Sequence, residues 1–309
     1  MELRHERVTT HRLIPEVPAW HRAAEAVHPY FVVDVFSSRP LEGNQLAVFE
    51  DGRPFLDDQL QAVAREMNFP ETVFLLPAEQ GGDLRVRIFT PGKEMAFAGH
   101  PVLGTSFVVG AALGKERITL ETGMGLVEVA LERDRDRVVF GRMQQPVPTW
   151  SAFDRPGDLL RAIGVESSGL PVTVYDNGAR HVFVQLASED AVAALTPDLS
   201  ALARFDYGVN CFAGAGSSWK TRMFAPAWGI PEDPATGSAA GPLAVHLARH
   251  GLVAFGEQIE IRQGVEILRP SVLFARAEGA SARVERVEVG GAAVVVSHGE
   301  YLVEGHAAA

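Results

Sequence analysis

Apolar positions along the chain switch between a period of two and a period near 3.6. Residues 30–36, Tyr-Phe-Val-Val-Asp-Val-Phe, are β-branched and aromatic and predict a buried strand. The stretch Arg39-Pro40-Leu41-Glu42-Gly43-Asn44 breaks it, and residues 46–49 predict a second strand. From Asp57 the apolar positions Leu60, Val63, Ala64 and Met67 recur at helical spacing. Strands are predicted over 72–76, 84–90, 119–132 and 137–143, with a helix over 101–113 that is apolar on nearly every side. Such a helix needs protein all around it.

The second half repeats this order. Strands are predicted at 172–175, 181–186, 220–225, 259–262, 271–277 and 284–289, around a second nearly all-apolar helix over 238–250 closed by Gly251. Arg87-Ile88-Phe89-Thr90-Pro91 matches Arg222-Met223-Phe224-Ala225-Pro226 at an offset of 135, and Gly43 and Gly178 share that offset. Chance likeness between two strand–turn pairs is one explanation; the common order of elements favours duplication. The expected fold is α+β: two similar halves, each an antiparallel sheet around a buried helix, with a ligand cleft between them. The halves span 29–150 and 151–303, between an N-terminal extension (1–28) and a short tail (304–309).

Both apolar helices have small-residue entrances. One reads Phe97-Ala98-Gly99-His100-Pro101, the other Glu232-Asp233-Pro234-Ala235-Thr236-Gly237-Ser238. Glycine leaves backbone N–H groups bare, Pro101 suits the first helical position, and a helix start attracts anions. Small residues also permit close helix–sheet packing, so one entrance alone decides nothing; two matching ones, with His100 and Asp233 attached, point to a carboxylate held from both sides. Glu71 precedes the apolar strand 72–76. It reads either as a loop glutamate or as a partly desolvated acid–base group.

Composition narrows the classes. The 309 residues carry a net charge of −11, which argues against nucleic acid as a partner. No uncharged apolar run reaches membrane-span length, and residues 1–28 lack the apolar core of a secretory signal. The single cysteine, Cys211, fits a reducing cytoplasm and excludes a two-thiol racemase mechanism. Gly214-Ala215-Gly216 lacks the third glycine of a dinucleotide fingerprint, and His246 and His250 lack the glutamate of a zinc-protease helix. No metal or cofactor site is predicted.

Long blocks of the sequence resemble the PhzF family of phenazine biosynthesis. They are Leu41-Glu42-Gly43-Asn44, residues 64–68, 88–91 and 97–105, Asn177-Gly178-Ala179-Arg180-His181, residues 210–216, Glu232 through Leu243, and residues 263–267. The resemblance implies a fold like diaminopimelate epimerase, with barrel-like halves around central helices, and a cytoplasmic homodimer. It implies a cofactor-independent isomerase that shifts a proton in trans-2,3-dihydro-3-hydroxyanthranilate, or in another small cyclic or amino acid. By the same resemblance Glu71, His100 and Asp233 are catalytic, and Asn44, Gly99, Gly237 and Ser238 bind a substrate carrying a carboxylate. Pro70 stands where the family usually has a substrate-binding serine, and proline offers neither hydroxyl nor N–H.

Overall fold

A computed structural model describes residues 27–303. Strand β1 (Val27–Val35) pairs antiparallel with β2 (Asn44–Phe49). Helix α1 (Asp57–Met67) then crosses to β3 (Glu71–Leu76), which lies parallel to β2 and antiparallel to β4 (Leu84–Phe89). A short β5 (Glu94–Met95) folds back on β4 and leads into α2 (Gly99–Leu113). Strand β6 (Arg117–Thr122) returns parallel to β4, and β7 (Gly125–Asp134) and β8 (Arg137–Gln145) complete a meander. After β9 (Thr149–Ala152) and α3 (Pro156–Ile163) the same pairing order recurs. Strand β10 (Thr173–Asp176) is antiparallel to β11 (Arg180–Gln185). Short helices α4 (Glu189–Ala193) and α5 (Leu199–Leu202) lead to β12 (Gly208–Ala215), parallel to β11 and antiparallel to β13 (Ser218–Ala225). Strand β14 (Ile230–Asp233) folds back on β13 and leads into α6 (Gly237–Arg249). Strand β15 (Gln258–Gln263) lies parallel to β13, and β16 (Ser271–Ala280), β17 (Arg283–Gly291) and β18 (Ala293–Leu302) follow.

The two runs are stitched together. Strand β8 pairs with β17, β18 returns to β1, and β9 pairs with β10. The result is a mixed α+β fold in which hydrogen bonding links one large sheet across the described residues. Helices α2 and α6 are buried along most of their length, and Leu103, Val102, Leu243 and Leu247 sit in one core with strand residues from both runs. No helix among the described residues is long and apolar enough to cross a membrane.

Several expectations need correction. The strand predicted over 119–132 is a hairpin, broken at Gly123-Met124, with Gly125 at φ 109°. Its apolar positions continue across the turn, so periodicity alone reads one strand. Helix α2 begins at Gly99, so Pro101 is its third residue rather than its first. The N–H it lacks would still have had no intrahelical partner. Strands β5, β9, β12, β14 and β18 and the short helices α3 to α5 lie beyond the predicted elements. Residues Val27 and His28, assigned to the extension, open β1; residues 1–26 and 304–309 lie outside the described part. The predicted cap at Gly251 is present: Gly251 has φ 71° and its N–H reaches Ala248, while Leu252 N–H reaches Leu247.

Because α2 is surrounded, truncating one of its buried side chains leaves a cavity. Leu103→Ala, at a fully buried position, is expected to cost about 2–5 kcal/mol by denaturant titration. Leu113→Ala at the exposed end should change stability by less than about 0.5 kcal/mol. Equal effects would contradict the packing described.

Candidate active site

The two helix starts meet head to head. A Cβ built on Gly99 would lie 3.0 Å from the carbonyl carbon of Gly237 and from the nitrogen of Ser238. One built on Gly237 would lie 3.2 Å from the His100 nitrogen and 3.1 Å from the Phe36 ring. Only residues without a side chain let the backbones approach so closely. Neither cap residue, Ala98 or Thr236, offers a side-chain hydrogen bond to the first turn. The leading N–H groups of both helices are therefore available to a ligand, and both dipoles favour an anion there.

Farther along α6, Pro242 removes the donor that would bond the Ser238 carbonyl. Asn177 supplies it instead, donating Nδ2–H at 3.0 Å. The Gly237 carbonyl accepts from Gln145 Nε2 at 2.9 Å. The start of α6 is thus held by side chains from β8 and from the β10–β11 turn.

Glu71 is the first residue of β3, set in place as α1 ends at Asn68 in the left-handed conformation and Pro70 enforces extended backbone. Only 9 % of it is exposed. Its Oε2 lies 3.2 Å from Nε2 of His100, and neither atom has a hydrogen-bonding partner among the described residues. Burial pushes the Glu71 carboxyl well above the usual carboxylate range, and the charge of Asp233 pushes the same way. Burial lowers His100 to about 3, against a backbone hydrogen bond with Gln45, so its imidazole is neutral at working pH.

Asp233 ends β14 on the other side of the pocket. Its Oδ1 accepts from Asn44 Nδ2 at 2.8 Å and its Oδ2 from the Thr236 hydroxyl at 2.6 Å. Gln263 bonds both the Asp233 carbonyl and Thr236 Oγ1 through Nε2, at 2.8 and 2.9 Å. Burial raises Asp233 to about 6 in spite of the Thr236 and Asn44 bonds.

One pocket is lined by Glu71, Gly99, His100, Asp233, Gly237 and Ser238 together, though the sequence spreads them over 168 positions from Glu71 to Ser238. Asn44 is the exception. It is fully buried, spends both amide protons on Asp233 and the Ala235 carbonyl, and does not line the pocket; it holds Asp233 rather than facing a ligand. Pro70 does not line the pocket either. Sequence reasoning missed Lys93, Met223, Trp228 and Ile230 in the lining, and the Thr236–Gln263 pair behind Asp233. Lys93 follows Thr90-Pro91-Gly92, a turn whose proximity to the second half no local pattern signals. Among the described residues no group of three or more His, Cys, Asp or Glu side chains is arranged to hold a metal ion.

The Glu71 shift has a stability consequence. A carboxyl that is harder to ionise in the fold than in the unfolded chain loses stability as pH rises above its ordinary value of 4.5. Glu71→Gln should match wild type most closely below that pH. The variant should gain on wild type by at most about 1.4 kcal/mol per pH unit above it. Parallel stability curves in denaturant titrations from acid to neutral pH would contradict the raised pKa.

A family model described as phenazine biosynthesis-like protein matches residues 33–299. The chain is 55% identical over 274 residues to the trans-2,3-dihydro-3-hydroxyanthranilate isomerase of Pseudomonas aeruginosa, covering 88% of this chain and 99% of that one. It is 52% identical to the protein of the same name from Pseudomonas fluorescens, covering 90% and 100%. Among solved structures, a predicted epimerase from Pseudomonas aeruginosa superposes with a TM-score of 0.77 at 31% identity, covering 89% and 99%. With the site geometry and these likenesses together, the chain belongs to the PhzC-PhzF family of phenazine biosynthesis-like proteins.

Proposed function

We propose that this protein isomerises trans-2,3-dihydro-3-hydroxyanthranilate in phenazine biosynthesis, with Glu71 carrying the proton. The observation that carries the reading is a buried carboxyl of raised pKa, 3.2 Å from a neutral imidazole, in the pocket where two uncapped helix starts meet. The named relatives act on that acid by their names, at more than half sequence identity. The finer architecture belongs to the same proposal: two barrel-like halves, 29–150 and 151–303, each closing around α2 or α6. The repeated pairing order supports it.

The chemistry is a proton shift along a conjugated diene. In the substrate the ring double bonds are C4=C5 and C6=C1. Glu71 takes the proton from C3, and the C3–H electron pair moves into a new C3=C4 bond. The C4=C5 pair shifts to C5=C6, and the C6=C1 pair takes up a proton at C1 to form the new C–H bond. The enol at C3 then tautomerises to the ketone. No atom is gained or lost, and one carboxyl over one face of the ring serves both carbons. Burial makes the ionised Glu71 a stronger base than a carboxylate in water. The substrate carboxylate sits on the N–H groups of Gly99, Gly237 and Ser238, which leaves the ammonium for Asp233. That ammonium offsets the Asp233 charge, which adds to burial, the larger cause, in raising the Glu71 carboxyl.

Glu71→Gln keeps the shape and hydrogen-bonding capacity but cannot accept a proton. It should bind 3-hydroxyanthranilate, the aromatic analogue, as wild type does. It should lose about 100- to 10,000-fold in turnover, or about 3–5 kcal/mol in the barrier. Turnover within about threefold of wild type would move the proton carrier to another residue.

A further inference from the structure

Behind Ser238 lies a chain of buried polar groups that the reaction as described does not use. His181, in β11, is fully buried, and its Nε2 is 3.0 Å from Ser238 Oγ. Its other nitrogen, Nδ1, is 3.3 Å from Asn210 Nδ2, in β12. The ring is clamped. A Cβ on Gly208 would fall 2.5 Å from Nδ1, and the Trp228 indole packs edge-on with centroids 5.7 Å apart.

The ring proton can be located from these contacts. Asn210 Nδ2 donates to the Gly208 carbonyl at 2.9 Å, which fixes the amide orientation and turns its second proton toward Nδ1 at 3.3 Å, with the Val182 carbonyl the more distant acceptor at 3.5 Å. A proton on Nδ1 would face that N–H. The Gly208 carbonyl also lies beside Nδ1 and keeps a second lone pair, but the hydrogen bond that meets full geometry at Nδ1 is the one with Asn210 Nδ2, at 3.3 Å. Nδ1 is therefore the acceptor, and the single ring proton sits on Nε2, directed at Ser238 Oγ. Burial holds the imidazole neutral, near a pKa of 3, so no second ring proton competes. A hydroxyl that accepts from histidine must send its own proton elsewhere, and Ser238 lines the pocket.

We propose that His181 and Asn210 are positioning residues that fix the Ser238 hydroxyl as a hydrogen-bond donor to the carboxylate of the bound acid. The identity of that acid rests on the isomerase reading; the direction of the chain does not. The arrangement favours an acceptor at that point, and a carboxylate oxygen, which has no proton to give, is the strongest one for a committed donor. A plain buried histidine would instead contribute to packing alone.

Two measurements separate these roles. In protein labelled with ¹⁵N-histidine, long-range proton–nitrogen correlation of His181, assigned by its loss in His181→Gln, should show the Nε2–H tautomer. The Nδ1–H tautomer overturns the proposal whether or not any substrate turns over. In kinetics with trans-2,3-dihydro-3-hydroxyanthranilate, Ser238→Ala should raise KM about ten- to hundredfold with kcat within about threefold, as for a hydrogen bond to a charged group. His181→Phe should do the same, and the double variant should be no worse than Ser238→Ala alone. His181→Gln, whose amide can donate to Ser238 and accept from Asn210, should keep KM within about threefold of wild type, less than a lost charged hydrogen bond produces. Additive effects in the double variant mean that His181 does not act through Ser238. If His181→Phe does not fold, a KM in His181→Gln as high as in Ser238→Ala overturns the proposal equally. Wild type that binds 3-hydroxyanthranilate but turns over none of the dihydro acid would count against the isomerase reading and leave the tautomer result standing.

Discussion

The site depends on one contact, the meeting of two helix starts at Gly99 and Gly237. With the Gly99 Cβ position 3.0 Å from the opposite backbone, no side chain fits between α2 and α6. The helices are apolar on almost every face, so the sheet encloses them and leaves only their first turns at the pocket. Burial and function are coupled here. Strands that bury α2 and α6 also fix where the helix starts meet, and the first turn of α2 and the end of β14 deliver His100 and Asp233 to one small space.

That space is organised by desolvation more than by ion pairing. Glu71, His100 and Asp233 all shift toward neutrality, with burial the leading cause for each. Paired charges would fix protonation states, whereas desolvated carboxyls whose two forms lie close in energy can exchange a proton. A buried ion pair, Arg222 with Glu232 at 2.7 Å, lies outside the pocket lining, where Arg222 also donates to the carbonyls of Val192, Ala193 and Leu195. It anchors β13 and β14, and with them Asp233.

Much of this was legible in the sequence, for identifiable reasons. Helical periodicity marked α1, nearly unbroken apolar runs marked α2 and α6, and the recurrence of Arg87–Pro91 at Arg222–Pro226 marked the equivalent strands β4 and β13. Small residues at 97–101 and 232–238 marked the helix starts because bare backbone requires them. What stayed hidden depends on contacts between distant segments. Asn44 reads as a ligand contact until its amide is seen bonded to Asp233, 189 positions away. Gln263 reads as a strand residue until it reaches Thr236. His181 reads as one position in an alternating strand until Ser238 and Asn210 are placed beside it. The hairpin within 119–132 was lost for a different reason: Gly123-Met124-Gly125 turns the chain without interrupting its apolar rhythm.

The central claim is that a single buried carboxyl carries the proton from one carbon of the ring to another. The most direct test is a single turnover of substrate deuterated at C3 in ordinary water, with deuterium at C1 of the product read by mass spectrometry and NMR. A carboxyl as enclosed as Glu71 should deliver part of the label to C1 in wild type. A first turnover that leaves no label at C1, with all of it in the solvent, would contradict a single shielded carrier.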